Sequence, residues 1–191
     1  MKQKHYGIGT NIYKIKGSAN KETFKFYRTW SNMLERCYDE KYTKKHPTYK
    51  KCTVCEEWRD LSGFKQWFDE NYIDGWHLDK DILIKGNKVY SPNTCCFVPQ
   101  EINKLFEKSN GIRGIYPIGV RLNKKKNKFE AYISKKNKFI SLGLYSNVND
   151  AFLSYKKEKE EYIKELANKY KGQLPSNVYN VLINYEVDIN D

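Results

Sequence analysis

The sequence predicts an α+β protein of two modules: a helical N-terminal module closing on a ββα finger, then a three-stranded antiparallel sheet packed on a long helix. Three patterns carry this expectation. Apolar residues recur at steps of three or four along three segments, which places each set on one helix face. Residues 78 to 103, LDKDILIKGNKVYSPNTCCFVPQEIN, hold short apolar runs around a Gly-Asn turn and end in a helix start. Beyond residue 111, three alternating segments separated by lysine-rich turns precede a long amphipathic stretch. At 191 residues the chain is long enough for two small cores.

Residues 1–23 read as an N-terminal arm, loose or strand-like, with few large apolar residues besides Tyr6, Ile8, Ile12, Tyr13 and Ile15. The first module spans 24–110. Phe24, Tyr27, Trp30, Met33, Leu34 and Cys37 share a helix face, and that helix should end before the polar stretch DEKYTKKHPTYKK. A second helix, residues 58–72, carries Trp58, Leu61, Phe64, Trp67 and Phe68 on one side. Both stripes are core. The finger follows: a first strand through Leu78, Ile82 and Ile84, a turn at residues 85–88, and a second short strand at Val89 and Tyr90. Pro99 stands near the first turn of a helix whose Ile102, Leu105 and Phe106 face inward.

The polar break Ser109-Asn110-Gly111 opens the second module, residues 111–172. IYPIGVRL, KFEAYIS and KFISLGLY are its strands, separated by the turns NKKKN and KKN. A long helix from Val148 to Tyr170 follows, with Ser146 or Asn147 as its cap. Residues 173–191 form a C-terminal helix opened by Pro175 and an acidic tail.

Charge points to the partner. The chain carries 35 Lys and Arg against 23 Asp and Glu, a formal charge of +12. Such a balance favours a polyanion, because each neutralised phosphate releases condensed counterions. Charge alone does not separate DNA, RNA and an acidic membrane surface. From Gly111 to Leu142 nine basic residues face one acid, Glu130. Alternation lets one sheet face bury Val120, Phe129, Ala131 and Ile133 against the helix while the other offers Arg121, Lys128, Glu130 and Tyr132. Such a face can enter a major groove, its turns neutralising phosphates and Arg121 forking onto a guanine. The candidate DNA contacts are Arg113, Arg121, Lys124, Lys125, Lys126, Lys128, Tyr132, Lys135, Lys136 and Lys138. The competing reading is a solvated lysine-rich surface. No apolar run reaches the roughly 18 residues of a membrane span, and the start MKQKHYGIGTNIYKIKG lacks the apolar centre of a signal peptide, so a cytoplasmic protein is expected.

The segment GVRLNKKKNKFEAYISKKNKFISLGLYSNVNDAFLSYKKEK resembles the APETALA2-type DNA-binding domain. Gly119, Val120, Arg121, Phe129, Ala131, Ile133, Leu142, Gly143, Tyr145 and Ala151 stand at the positions of that pattern. Phe129 and Ile140 replace the strand tryptophans of plant members, so plant base preferences do not transfer. The resemblance implies recognition of double-stranded DNA by a three-stranded sheet.

The first module resembles HNH, or ββα-metal, endonucleases of bacteriophages and mobile elements. The residues that carry this are Trp30, Met33, Arg36, Cys37 and Tyr38; Val54, Cys55 and Trp58; Leu78, Asp79 and Lys80; and Tyr90, Ser91, Pro92 and Cys95. The resemblance implies a finger in which Asp79 and Asn103 hold Mg²⁺ or Mn²⁺, with Gly86 in the glycine turn and Thr94 in place of the central asparagine. The chain departs from the pattern at the base, because Lys80 follows Asp79 where a histidine is expected. His77 lies two residues before Asp79. Strand alternation puts His77, Asp79 and Asp81 on one side, a possible His-Asp-Asp metal cluster, with His77 or Lys80 as catalytic groups. The resemblance thus implies a homing-type DNA endonuclease in a bacterial host cell. Its alternative is a catalytically degenerate DNA binder, either a phage regulator or an inhibitor of host defence; a third class is an RNA-binding accessory protein.

Five cysteines in a reducing compartment are thiols or metal ligands. Cys52 and Cys55 have zinc-knuckle spacing, and Cys37, Cys55 and Cys95 with Cys52 or His46 are a candidate structural Zn²⁺ set. The other reading is buried thiols packing the finger.

Overall fold

The stripe from Tyr27 to Cys37 lies on a helix, α1 (Lys21–Tyr38), and its buried face is Trp30, Met33 and Leu34. The computed structural model describes residues 5–11, 21–106 and 115–190, with side chains from Lys25 onward in α1. Phe24 as a side chain, most of the arm, Arg113 and the break at 109–111 lie outside the described residues. The fold is α+β, and the chain divides into two units, Met1–Pro99 and Gln100–Asp191. The division falls before the Ser109–Gly111 break, so the helix expected to complete the finger belongs to the second unit.

In the first unit, the polar stretch after α1 forms a short helix of its own, α2 (Glu40–Lys45), because the Asp39 carboxylate accepts the Tyr42 N–H at 2.7 Å and caps it. A 3₁₀ turn (Pro47–Tyr49) leads to β1 (Thr53–Val54). The single helix expected over 58–72 is two, α3 (Glu56–Arg59) and α4 (Leu61–Asn71). Asp60 breaks it: its backbone is extended and its carboxylate accepts the Ser62 N–H at 2.8 Å, starting α4 afresh. Thr10 fills the gap, donating to Arg59 O at 2.8 Å and accepting from Leu61 N at 3.0 Å.

The strands pair differently from the sequence expectation. β2 (Trp76–Asp79) is antiparallel to β4 (Cys96–Pro99), with Asp79 opposite Cys96, while β3 (Val89–Tyr90) is parallel to β1. The second strand of the finger is therefore the fully buried run Cys96–Pro99, and Val89–Tyr90 ties the β2–β4 loop to the start of the helical core. That core is aromatic. Trp30, Trp58 and Phe64 are fully buried, Trp30 Nε1 donates to Trp58 O at 2.8 Å, and Trp67 stacks on Phe97 at 5.3 Å. Burying each such side chain contributes about 1.5–3 kcal/mol.

The second unit begins with α5 (Gln100–Asn103) and a 3₁₀ turn (Lys104–Phe106). β5 (Val120–Asn123), β6 (Lys128–Lys135) and β7 (Lys138–Tyr145) form an antiparallel sheet in the order β5-β6-β7. The long helix α6 (Val148–Lys169), capped by the Asn147 side chain on Asp150 N at 2.8 Å, packs on the sheet, and α7 (Ser176–Ile183) packs on α6. Val120, Ala131 and Ile133 of the sheet and Ala151, Phe152 and Tyr155 of α6 are buried in this core, and Phe129 is half-buried. Gly119, at φ +75, enters β5 so close to α6 that a Cβ there would overlap the Tyr155 ring. In β7 the register slips: Gly143 faces Ala131, but Ser141 faces Tyr132, leaving Leu142 as an extra residue. Among the described residues no helix is long and apolar enough to cross a membrane.

Candidate nucleic-acid interface

The sheet face turned away from α6 carries Arg121, Glu130, Tyr132, Phe139 and Ser141. Arg121 and Glu130 are cross-strand partners, and Arg121 Nε and Nη2 both reach Glu130 Oε2 at 3.0 Å. Ser141 Oγ donates to Glu130 Oε1 at 2.8 Å. The hydroxyl and the guanidinium together hold the Glu130 carboxyl below the usual carboxylate range. The Arg121 guanidinium also lies 4.6 Å from the Phe139 ring centre and 5.3 Å from that of Tyr132, and those rings stack 5.1 Å apart. Two carboxylate contacts and two rings thus fix an arginine whose side chain remains 54% exposed.

Lysines flank this platform. Lys124, Lys125 and Lys126 are exposed in the β5–β6 turn, where Asn123 accepts the Lys126 N–H, and Lys128 is exposed at the start of β6. Lys136 and Asn137 form a two-residue turn with φ of +51 and +60, the geometry that a type I′ hairpin needs, and Lys138 follows it into solvent. Lys135 does not join them. Its parity sends it to the helix side, where Nζ pairs with Glu158 Oε1 at 2.5 Å and lies over the Tyr162 ring. The sequence reading missed Phe139 and Ser141, because the extra residue Leu142 breaks the alternation that would have placed them.

The finger end is built around Asp79. β2 stops there because Asp79 Oδ1 accepts the N–H of Asp81 at 2.7 Å and of Ile82 at 2.8 Å, turning the chain back. Burial raises the Asp79 carboxyl above its ordinary range, and the two N–H groups partly offset this. The expected alternation of His77, Asp79 and Asp81 ends with the strand: His77 is exposed, and Asp81 is engaged by Lys80 at 2.6 Å. Lys80 is no surface group. It is 5% exposed, donates to Asn87 O at 3.1 Å and lies over the Tyr90 ring, while Asn87 Nδ2 donates to Lys80 O and Val89 O. An ammonium enclosed in that way is unsuited to carrying protons to a substrate. Asn103 ends α5 in the second unit.

Among the described residues no group of three or more His, Cys, Asp or Glu is placed to hold a metal ion, so neither His77-Asp79-Asp81 nor the cysteine set stands together as a ligand cluster. Cys37, Cys52, Cys55, Cys95 and Cys96 are free thiols, and Cys52, Cys95 and Cys96 are buried. Burial pushes Cys37 and Cys95 up to about 12 and raises Cys52 and Cys55, which keeps them protonated. No protein-family model matches the sequence, and neither a curated protein nor a solved structure matches it.

Proposed function

We propose that the protein binds double-stranded DNA by laying the exposed face of β5, β6 and β7 into the major groove. The observation that carries this reading is Arg121, held by Glu130 over two stacked aromatic rings and flanked on both turns by exposed lysines. A pre-positioned guanidinium loses little freedom on forking to a guanine, and the lysines supply the sequence-independent grip on phosphate. Tyr132 and Phe139 add apolar surface suited to a thymine methyl group. Fluorescence anisotropy with labelled duplexes tests this: binding must weaken steeply with salt and drop in Arg121→Ala. Equal or tighter binding of structured RNA in direct competition would favour the RNA reading.

A second reading, endonuclease activity in the first unit, rests on Asp79. Oδ1 is occupied by two backbone N–H groups, whereas Oδ2 has no hydrogen-bond partner among the described residues and is free to bind a cation. Mg²⁺ or Mn²⁺ there would polarise a phosphate oxygen. The remaining ligands of a metal site are not assembled around it among the described residues. Incubation with supercoiled plasmid and either ion decides: nicking lost in Asp79→Ala supports the enzyme, and binding without nicking supports the binder.

A further inference from the structure

β5 pairs with β6 only from Val120↔Ala131 to Asn123↔Lys128. Past Tyr132, whose N–H donates to Gly119 O at 2.8 Å, that edge of β6 has no strand neighbour among the described residues and borders a cleft of about 920 Å³. The cleft lies wholly within the second unit, between the end of β6, the α5 segment and α6.

Its charge is unbalanced. Lys104, Lys136 and Lys159 line it with one acid, Glu101, and the Glu101 carboxylate is already taken by Lys169 and Tyr170. Lys159 donates to the neutral Leu105 O at 2.8 Å and has no carboxylate partner among the described residues. Burial alone pushes its ammonium down to about 8. A cation withdrawn from water without a counter-charge is costly, and an anion entering the cleft removes that cost. The rest of the lining includes the aromatic and apolar residues Tyr132, Tyr155, Tyr162 and Ile133 and the polar residues Ser134 and Asn137. Inorganic phosphate would leave most of such a volume empty, whereas small-molecule sites of this size enclose a ring system with its polar group.

We propose that this cleft binds a phosphate-bearing ligand of mononucleotide size, its phosphate among Lys104, Lys136 and Lys159 and its base against the less polar part of the lining. The cleft shares Tyr132 and Lys136 with the sheet face and its turn, but the inference does not depend on DNA binding there.

The test is calorimetric titration of the full chain with guanosine and adenosine monophosphates, the bare nucleosides and inorganic phosphate. The monophosphates should bind saturably at one per chain, and nucleoside or phosphate alone at least tenfold more weakly. Lys159→Met should weaken monophosphate binding at least tenfold with an unchanged circular dichroism spectrum. The exposed double variant Lys104→Ala/Lys136→Ala should show a comparable loss without disturbing the partly buried Lys159. Absence of saturable monophosphate binding to the wild type overturns the proposal, as does unchanged affinity in both variants.

Discussion

Arg121 and Glu130 face each other across β5 and β6, and both Nε and Nη2 of the arginine close on a single carboxylate oxygen at 3.0 Å. The second oxygen is held by Ser141. On the proposed reading, Glu130 is therefore a positioning residue for Arg121, the guanidinium set to address a base edge. Arg121→Ala should cost about 1–3 kcal/mol of duplex affinity and relax sequence preference. Glu130→Gln, which loosens the guanidinium without removing it, should cost less affinity and more specificity. Anisotropy titrations on a panel of duplexes measure both.

Glu130 also sets an acid limit. Its folded carboxyl titrates below the unfolded one, so the stability it contributes is complete above the unfolded value and disappears as pH falls through the folded value. The melting temperatures of wild type and Glu130→Gln should differ at pH 7 and converge in acid below the ordinary glutamate range, as followed by circular dichroism. A constant gap down to that pH would mean that the carboxylate is not engaged as described.

The β5–β6 turn should act without regard to sequence. Replacing Lys124, Lys125 and Lys126 by alanine is expected to weaken all duplexes alike. The slope of log affinity against log salt should fall by about 1 for each phosphate that is no longer neutralised. An effect confined to some sequences would assign these lysines to the base edges instead.

Gly119→Ala should destabilise the second unit by about 2–4 kcal/mol, combining the left-handed backbone cost with overlap onto Tyr155. Urea denaturation checks this, and Gly86→Ala is the informative comparison. It shares the positive φ but has open space around it, so its loss should be about half as large or less.

Lys159 predicts stability that rises with alkalinity. Its folded value of about 8 lies below the ordinary lysine value of 10.5, so between those limits the unfolded chain holds more protons and stability increases with pH. At neutral pH the charged form is a liability, and Lys159→Met should raise stability by about 1–2 kcal/mol. That advantage should shrink as pH climbs past 8. The surrounding ionisable groups are Lys104, Lys136, Tyr132, Tyr155, Tyr162 and the already paired Glu101. Chemical denaturation from neutral pH into the alkaline range tests the trend.

Helices are legible because Trp30, Met33 and Leu34, or Tyr155, Tyr162 and Leu166, repeat at a period that only a helix face satisfies. The β5–β7 sheet is legible for a similar reason, its turns being marked by lysine and asparagine. Less legible are features decided by contacts distant in sequence. Val89–Tyr90 has strand character, but nothing local shows that β1 claims it in parallel. Asp60 splitting a continuous apolar stripe depends on a side chain outbidding the helix for an N–H. At the finger, alternation carried through Asp81 misplaces it, because Asp79 itself ends the strand; this reversal drives Lys80 inward. Alternation does place Arg121, Lys128, Glu130 and Tyr132 on the basic face, while Lys135 falls on the opposite side by simple parity.

Leu142 has a consequence out of proportion to its size. Were Leu142 itself to pair with Tyr132, every side chain of β7 before it would swap sides, and Phe139 and Ser141 would be swung beneath the sheet. The spare residue works as a phase inverter: drawing it into the ladder would erase the aromatic shelf under Arg121 without altering a single residue of the strand.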